Sequence, residues 1–141
     1  MKLCFPLNHS HVTVISTYAP TLVGSEETKE KFYEDLDKLV VKEAPTEDKL
    51  ILLGDFNHSN WKGVLGPHLT GKMNANGQLL LTLCAENTLT ITITFFRQAD
   101  KYKTTWMHPR RKQWHVLDYA ICRRRDISDF KITRAMRGAE C

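Results

Sequence analysis

Leu52-Leu53-Gly54-Asp55-Phe56-Asn57-His58, in a chain of 141 residues, joins the end of an apolar run to two polar side chains that can bind a ligand. The apolar run over residues 49–53 is typical of a strand covered on both faces, and it stops at Gly54. Ligands of open α/β sheets bind at the carboxyl ends of strands, where Asp55 and Asn57 can lie on one side of an extended loop. A carboxylate can orient a water or hold a cation, and an amide can donate to a phosphate oxygen. The alternative is a local turn in which both side chains bond to the backbone.

The sequence on both sides of this stretch alternates between strand-like and helix-like patterns. Residues 12–18 are rich in β-branched side chains and predict a strand, and Ser25 predicts the N-cap of a helix. The apolar stripe of that helix consists of Phe32, Leu36, Leu39 and Val40. The elements predicted further along are a helix over residues 79–86, led by Asn76-Gly77, and strands over residues 89–96, 102–106, 114–122 and 130–136. This order predicts an α/β or α+β sandwich with a mixed sheet flanked by helices.

Composition limits the classes of protein to which the chain can belong. Its 141 residues, 42% of them hydrophobic, suffice for the core of one domain. No apolar run approaches the ~20 residues that span a bilayer, and residues 1–6 lack the features of a signal peptide, so we expect no membrane association and no secretion. The four cysteines have no paired spacing, which argues against a zinc site. Cys84 and Cys122 lie in apolar stretches and predict buried free thiols in a reducing, intracellular compartment, the nucleus or the cytoplasm.

Charge is distributed unevenly along the chain. Residues 1–96 contain 8 Lys and Arg against 11 Asp and Glu, whereas residues 97–141 contain 12 against 5. The basic part includes Arg110-Arg111-Lys112 and Arg123-Arg124-Arg125, interleaved with Tyr102, Trp106 and Trp114. Cations neutralise phosphates and aromatic rings stack on bases, so this part is a candidate nucleic-acid footprint. The alternative is a solvated, charged face.

Two further side chains are candidates because of their position in or after strands. Tyr18, in Tyr18-Ala19-Pro20, ends the predicted first strand, where its phenol can reach a phosphate; the alternative is a core or rim aromatic. Asp118 lies within the apolar residues 117–121, and burying an isolated carboxylate is costly, so we expect it to have a partner. That partner is either an arginine or a backbone donor, or a histidine held in one tautomer.

Several motifs occur in the chain in a fixed order: Tyr18-x-Pro20, Leu52-Leu53-Gly54-Asp55-Phe56-Asn57, Thr105-Trp106 and Leu117-Asp118-Tyr119. Together they resemble the endonuclease/exonuclease/phosphatase superfamily, which includes DNase I, apurinic endonucleases and non-LTR retrotransposon endonucleases. The stretches that resemble its RTE-type retrotransposon branch and domesticated relatives are residues 14–20, 71–77, 104–109, 117–119, 123–126 and 134–139. The resemblance extends over the chain from Val12 onward and implies a DNase I-like α/β sandwich.

By this resemblance the reaction is hydrolysis of a DNA phosphodiester assisted by Mg²⁺ or Mn²⁺. Asp55 would position or deprotonate the attacking water, and it is also the candidate metal ligand. Asn57 and Tyr18 would hold phosphate oxygens, and Asp118 would orient a histidine. The candidates for further contacts with DNA are Asn74, Asn76, Trp106, Trp114, Arg110 and Arg111. A turn at Asn76-Gly77 and core packing of the two tryptophans are the alternatives.

Three members of the family's catalytic set have no counterpart in residues 1–141. The resemblance implies an asparagine and a metal-binding glutamate before the Tyr18 strand and a Ser/Thr-Asp-His motif after residue 139, and none of the six histidines lies in that context. We therefore expect a partial domain, incomplete at both ends, with little or no nuclease activity. Missing strands would leave unpaired edges through which copies of the chain self-associate.

Three other functions are compatible with the sequence. The first is a non-catalytic module that binds nucleic acid or protein through the basic C-terminal surface. The second is a translated retroelement remnant with no selected role, which need not fold cooperatively. The third is hydrolysis of a lipid, because the superfamily also includes phosphoinositide and sphingomyelin phosphodiesterases. The retrotransposon-like motifs and the basic part favour DNA over lipid.

Overall fold

The computed structural model describes residues 1–56 and 74–136. Its strands are β1 (Lys2–Pro6), β2 (His11–Tyr18), β3 (Lys49–Asp55), β4 (Leu89–Ile91), β5 (Trp106–Met107), β6 (Trp114–His115) and β7 (Asp118–Arg123). Its helices are α1 (Glu26–Glu43) and α2 (Ala75–Glu86), with 3₁₀ turns at Thr92–Thr94, Asp100–Tyr102 and Arg124–Asp129. Five strands form one sheet in the order β1-β2-β3-β7-β4, and β5 and β6 form a separate hairpin.

The five-stranded sheet is mixed, as the sequence predicts. β2 and β3 run parallel, and the crossover between them is α1. The other pairs, β1 with β2, β3 with β7 and β4 with β7, are antiparallel. β3 and β7 therefore lie in the interior of the sheet, and the last residue of β3 meets the first residue of β7.

Both helices begin with a side-chain cap. Ser25 caps α1 as predicted: its Oγ accepts a hydrogen bond of 3.2 Å from the backbone N–H of Thr28. Asn74 caps α2 in the same way, because its Oδ1 accepts from the N–H of Gly77 at 2.9 Å. The interpretation of Asn76-Gly77 as a turn before the second helix is therefore wrong, since α2 already begins at Ala75.

The core lies on one face of the sheet. Side chains alternate along each strand, and those of Ile15, Leu52 and Ile121 point to the face that packs against α1 and α2. On the second face Ile51 is only half-buried and Leu53 is 39% exposed. The prediction that β3 is covered on both faces therefore fails within the described residues.

Four predicted strands differ from the structure. The strand expected over residues 89–96 ends at Ile91 and continues as a 3₁₀ turn. Residues 102–106 contribute only Trp106 to a strand, and 114–122 divides into β6 and β7. Residues 130–136 form no strand, because β3 and β4 already occupy both edges of β7. That segment is instead fixed by single hydrogen bonds to the loop before β5.

The sequence patterns missed β1. All five of its residues are exposed, and it pairs with β2 at the edge of the sheet. An exposed edge strand presents unpaired backbone groups, so self-association through this edge stays a prediction.

The two internal cysteines are buried free thiols, as predicted. Burial raises the pKa of Cys84 to about 12, and burial together with the nearby carboxylates raises that of Cys122 to about 12. Thiolates are therefore scarce at neutral pH, and these cysteines act as core residues. In the described residues no helix has the length and apolar character to cross a bilayer.

Candidate active site

Three of the predicted site residues lie in one row at the ends of the three central strands of the sheet. Tyr18 is the register partner of Asp55 in the parallel pair β2–β3, and Asp55 is the register partner of Asp118 in the antiparallel pair β3–β7. Neighbouring strands lie about 5 Å apart, so the backbone positions of Tyr18 and Asp118 are about 10 Å apart, with Asp55 between them. Register partners point to the same face, which for this row is the second face of the sheet.

The backbone around this row is held closely. The N–H of Ala19 donates to the carbonyl oxygen of Asp55 at 2.8 Å, and the N–H of Phe56 donates to the carbonyl oxygen of Leu117 at 2.9 Å. Gly54 lies beside β2, where a Cβ atom would come 2.6 Å from the carbonyl oxygen of Thr17. Only glycine therefore fits between Leu53 and Asp55 without a shift of backbone.

The row lines a cleft of about 550 Å³. The cleft is also lined by Thr105, at the base of the β5–β6 hairpin, and by Arg134, from the segment that follows the last 3₁₀ turn. The hydroxyl of Thr105 accepts hydrogen bonds from the N–H groups of Leu117 at 3.1 Å and Asp118 at 3.4 Å, which fixes the hairpin beside the row. The cleft thus combines two carboxylates, a phenol, a hydroxyl and a guanidinium group.

Asp118 is exposed at the start of β7, and this corrects the expectation that it is buried and must have a partner. Its environment is nevertheless acidic, because Asp55 is directly opposite. The neighbouring Tyr119 is buried and its hydroxyl donates to the carbonyl oxygen of Val116 at 3.0 Å. Burial, and then the charges of Asp118 and Asp55, raise the pKa of Tyr119 well above its usual value. A phenolate at Tyr119, which would add a third negative charge beside the two carboxylates, is therefore unfavourable.

A second cleft, of about 570 Å³, shares Tyr18 and Asp55 with the first. Its far wall is one face of the β5–β6 hairpin, formed by Trp106, His108 and His115. The Trp106 ring lies with its centroid 5.6 Å from that of His108 and 5.9 Å from that of His115. Sequence analysis missed both histidines, although Trp106 and His108 have the alternate spacing that puts side chains on one face of a strand.

The two candidate tryptophans lie on opposite faces of this hairpin. Trp106 is the register partner of His115, whereas Trp114 is the partner of Met107, and adjacent residues of a strand face opposite ways. Both rings are about two-fifths exposed, Trp106 41% and Trp114 42%. Only Trp106 faces the cleft that contains Asp55. Neither ring is packed in the core of the described structure, so the alternative of core packing is wrong for both tryptophans.

The remaining candidates occupy varied positions. Arg110 and Arg111 lie in the turn of the hairpin, where their backbone N–H groups both donate to Nδ1 of His108 at 3.2 Å. The amide of Asn76 is fully buried and donates to the carbonyl oxygen of Pro20 at 2.8 Å, and the side chain of Asn74 caps α2. Contact of either asparagine with phosphate stays a prediction. Asn57 lies outside the described residues.

The second arginine cluster lies far from the row. Arg123 ends β7, about 17 Å along the strand from Asp118. Its guanidinium donates to the carbonyl oxygens of Ala44 at 2.6 Å, Pro45 at 3.0 Å and Asp48 at 3.0 Å, which fixes the end of α1. Arg125 also donates to the carbonyl oxygen of Asp48, at 3.1 Å. The basic part of the sequence is therefore divided, and this half of it supports the fold.

The described residues supply an incomplete set of metal ligands. They contain no group of three or more His, Cys, Asp or Glu side chains placed to hold one ion. Asp55 and Asp118 are adjacent, but two carboxylates fall short of the oxygen ligands that Mg²⁺ takes unless water, substrate or other protein groups contribute. The described residues alone thus do not fit a complete metal site.

A known protein family matches the part of the chain that contains the row. The sequence profile of the endonuclease/exonuclease/phosphatase family matches residues 3–132, which include the whole row. The chain belongs to this family. The family resemblance expected from the ordered motifs is therefore confirmed.

Two curated relatives are similar over most of the chain. Craniofacial development protein 2 of Bos taurus is 35% identical over 135 residues, and that of Tragulus javanicus is 33% identical over 135 residues. Each match covers 93% of this chain and 23% of the relative. The chain therefore spans less than a quarter of the length of these relatives.

A solved structure shares the fold. The endonuclease domain of TRAS1, a telomere-specific non-LTR retrotransposon, superposes with a TM-score of 0.60 at 17% identity. The match covers 90% of this chain and 51% of that domain. At this identity the likeness concerns the fold alone, and it confirms the expected DNase I-like arrangement of a mixed sheet flanked by helices.

Proposed function

We propose that residues 1–141 are part of a DNA phosphodiesterase domain that binds the DNA backbone over the row Tyr18–Asp55–Asp118 and by itself hydrolyses DNA weakly or not at all. The observation that carries the proposal is the register that aligns these three side chains on one face of the sheet. Membership of the endonuclease/exonuclease/phosphatase family supports hydrolysis of a phosphate ester as the reaction class. DNA as the substrate is supported by the likeness to a retrotransposon endonuclease domain and by the excess of Lys and Arg after residue 96.

The chemistry of the row suits a phosphodiester. The phenol of Tyr18 is 65% exposed and can donate a hydrogen bond to a phosphate oxygen. Asp55 can accept a proton from, or orient, a water on the same face. A divalent cation, as implied for this family, would neutralise charge on the phosphate and the two carboxylates. Because the described residues lack a full ligand set, no catalytic step is assigned to that cation.

A non-catalytic nucleic-acid-binding module is the second candidate. It is favoured by the β5–β6 hairpin, which presents an exposed tryptophan on each face and Arg110 and Arg111 at its tip. Aromatic rings and cations of this kind bind single or double strands without needing hydrolysis. The buried free thiols agree with a reducing compartment such as the nucleus or cytoplasm, which stays part of the proposal.

The binding part of the proposal predicts a gain of affinity from the double variant Asp55→Asn/Asp118→Asn. In EDTA, two carboxylates near the phosphate repel it, so their neutralisation should tighten binding of a fluorescent DNA duplex roughly threefold to tenfold at low salt. Fluorescence anisotropy gives the dissociation constants. Added Mg²⁺ should reduce the difference between the variant and the unchanged chain.

A matched control is the double variant Glu34→Gln/Asp35→Asn on α1. It changes the net charge by the same amount, and both side chains are exposed and lie in ion pairs remote from the row. Its affinity should stay within about twofold of the unchanged chain. Equal gains in the two double variants would show a general effect of net charge and would contradict binding at the row.

A further inference from the structure

Two cations surround one aromatic ring beside the first cleft. The Nζ of Lys101 lies 4.9 Å from the centroid of the Tyr102 ring, and the guanidinium carbon of Arg134 lies 5.8 Å from it. The ring is 39% exposed, and both cationic side chains are exposed. The ring's negative π-system attracts both cations, so each is held within about 6 Å of the same ring centroid at the surface.

The backbone fixes this arrangement across a long sequence separation. The N–H of Ala135 donates to the carbonyl oxygen of Tyr102 at 2.6 Å, and the side-chain amide of Gln98 donates to the carbonyl oxygen of Thr133 at 2.6 Å. The N–H of Tyr102 donates in turn to the carbonyl oxygen of Ala99 at 2.9 Å. These bonds set the segment of Arg134 against the segment of Lys101, although neither belongs to a strand.

Among the described residues, no acidic side chain neutralises either cation. Within residues 1–56 and 74–136, Lys101 and Arg134 form no ion pair, whereas Lys31 and Lys38 on α1 each do. They also differ from Arg123, whose guanidinium is committed to backbone carbonyls. Two cations beside one ring, without an acidic partner among the described residues, favour binding of an anion at this surface.

The position of Arg134 indicates which anion. Arg134 lines both the cleft that contains Asp55 and Asp118 and an adjoining cavity of about 420 Å³ lined by Lys101, Tyr102 and Met136. A nucleic-acid strand with one phosphate in the first cleft can therefore continue into this adjoining cavity. Its next phosphates would then lie beside Lys101 and Arg134. A single carboxylate or a small metabolite would not extend over both cavities, whereas a nucleic-acid strand would.

We propose that Lys101, Tyr102 and Arg134 form a binding site for a backbone phosphate of a nucleic-acid strand, next to the phosphate held over the Asp55–Asp118 row. This inference rests on the proposed function, which places the nucleic-acid strand over the row and so sets the direction in which it continues. The two cations contact phosphate oxygens, and Tyr102 positions the cations. The site carries no sequence preference, because phosphate contacts are common to all sequences.

The test is DNA binding by the 141-residue chain in a salt series, with a fluorescent duplex as the probe and anisotropy as the readout. Each of Lys101→Ala and Arg134→Ala should weaken binding roughly fivefold near 0.1 M salt, and each should reduce the slope of log K against log salt by about 0.9. Tyr102→Phe should bind as the unchanged chain does, because it keeps the ring. Tyr102→Leu should weaken binding about twofold to threefold, with a smaller change of slope than either alanine variant.

The control variants are Lys31→Ala and Lys38→Ala, which remove the same charge from exposed, ion-paired positions. If Lys101→Ala and Arg134→Ala change affinity and slope no more than these controls, the phosphate site is wrong while DNA binding over the row can still hold. If the unchanged chain shows no salt-dependent DNA binding, both the site and the binding function are wrong. If Lys101→Ala and Arg134→Ala weaken binding and lower the slope as expected while the DNA is not cut, the site is supported independently of catalysis.

Discussion

With supercoiled plasmid DNA and Mg²⁺, the 141-residue chain should nick DNA roughly 10²–10⁴-fold more slowly than the TRAS1 endonuclease domain assayed alongside it. The physical reason is the incomplete acid–base and ligand set in the described residues. Asp55 and Asp118 are register partners, but within residues 1–56 and 74–136 no third His, Cys, Asp or Glu is placed to hold a metal ion with them. Members of one catalytic unit do not substitute for one another, so loss of one leaves little of the rate.

The matched variant in this assay is Asp55→Ala. Residual nicking should be the same with and without this substitution, because a carboxylate acting alone contributes little. Gel electrophoresis of the plasmid over a time course gives the rates. Efficient cleavage by the unchanged chain that Asp55→Ala abolishes would overturn the account of a weak or inactive site.

Gly54→Val should lower the free energy of unfolding by about 3 kcal/mol and the melting temperature by roughly 10 °C. The Cβ of any larger residue would lie 2.6 Å from the carbonyl oxygen of Thr17 and 3.2 Å from the ring of Phe56. Thr17 belongs to the parallel strand β2, whose backbone is hydrogen-bonded to β3, so relief of the clash requires the two strands to separate. The register that aligns Tyr18 with Asp55 would be disturbed at the same time.

Gly24→Ala provides the comparison for this substitution. The added Cβ would lie 3.2 Å from its nearest neighbour, the carbonyl oxygen of Thr21, in a loop outside the sheet. Its loss of stability, measured by urea denaturation, should be clearly smaller than that of Gly54→Val. Equal losses in the two variants would indicate that close contact with β2 is not what requires glycine at position 54.

Local patterns were sufficient to predict the elements that carry the row. β2 and β3 follow from β-branched and apolar runs that end at Tyr18 and Gly54, and α1 follows from its cap and its apolar stripe. These signals depend on a few adjacent residues. The placement of Asp55 at the carboxyl end of a central strand could therefore be predicted before any pairing was known.

Features that depend on pairing between distant residues were not predictable in this way. The exposure of Asp118 follows from its place at the first position of β7, whereas the sequence pattern placed it inside an apolar run. The histidines line the same cleft as Asp55 because the β5–β6 hairpin is fixed to the start of β7 through Thr105. Likewise, nothing near Arg134 in the sequence indicates that Tyr102 lies beside it.

The division of the basic residues is the clearest example of this limit. Arg110-Arg111-Lys112 and Arg123-Arg124-Arg125 have the same appearance in the sequence. In the structure Arg110 and Arg111 form the tip of an exposed hairpin, whereas Arg123 donates to three carbonyl oxygens at the end of α1. Composition gave the number of cations, but only the fold separates those free to meet phosphate from those that support a helix.

The most direct test of the central claim is an NMR titration of the ¹⁵N-labelled chain with a short DNA duplex in the presence of Mg²⁺. If phosphate binds over the row, the amide signals of Tyr18, Asp55 and Asp118 should shift progressively with DNA concentration. Those of residues 123–125, at the opposite end of β7, should move little. Shifts concentrated at residues 123–125, with the row unaffected at saturation, would contradict the claim that this chain binds DNA at Tyr18–Asp55–Asp118.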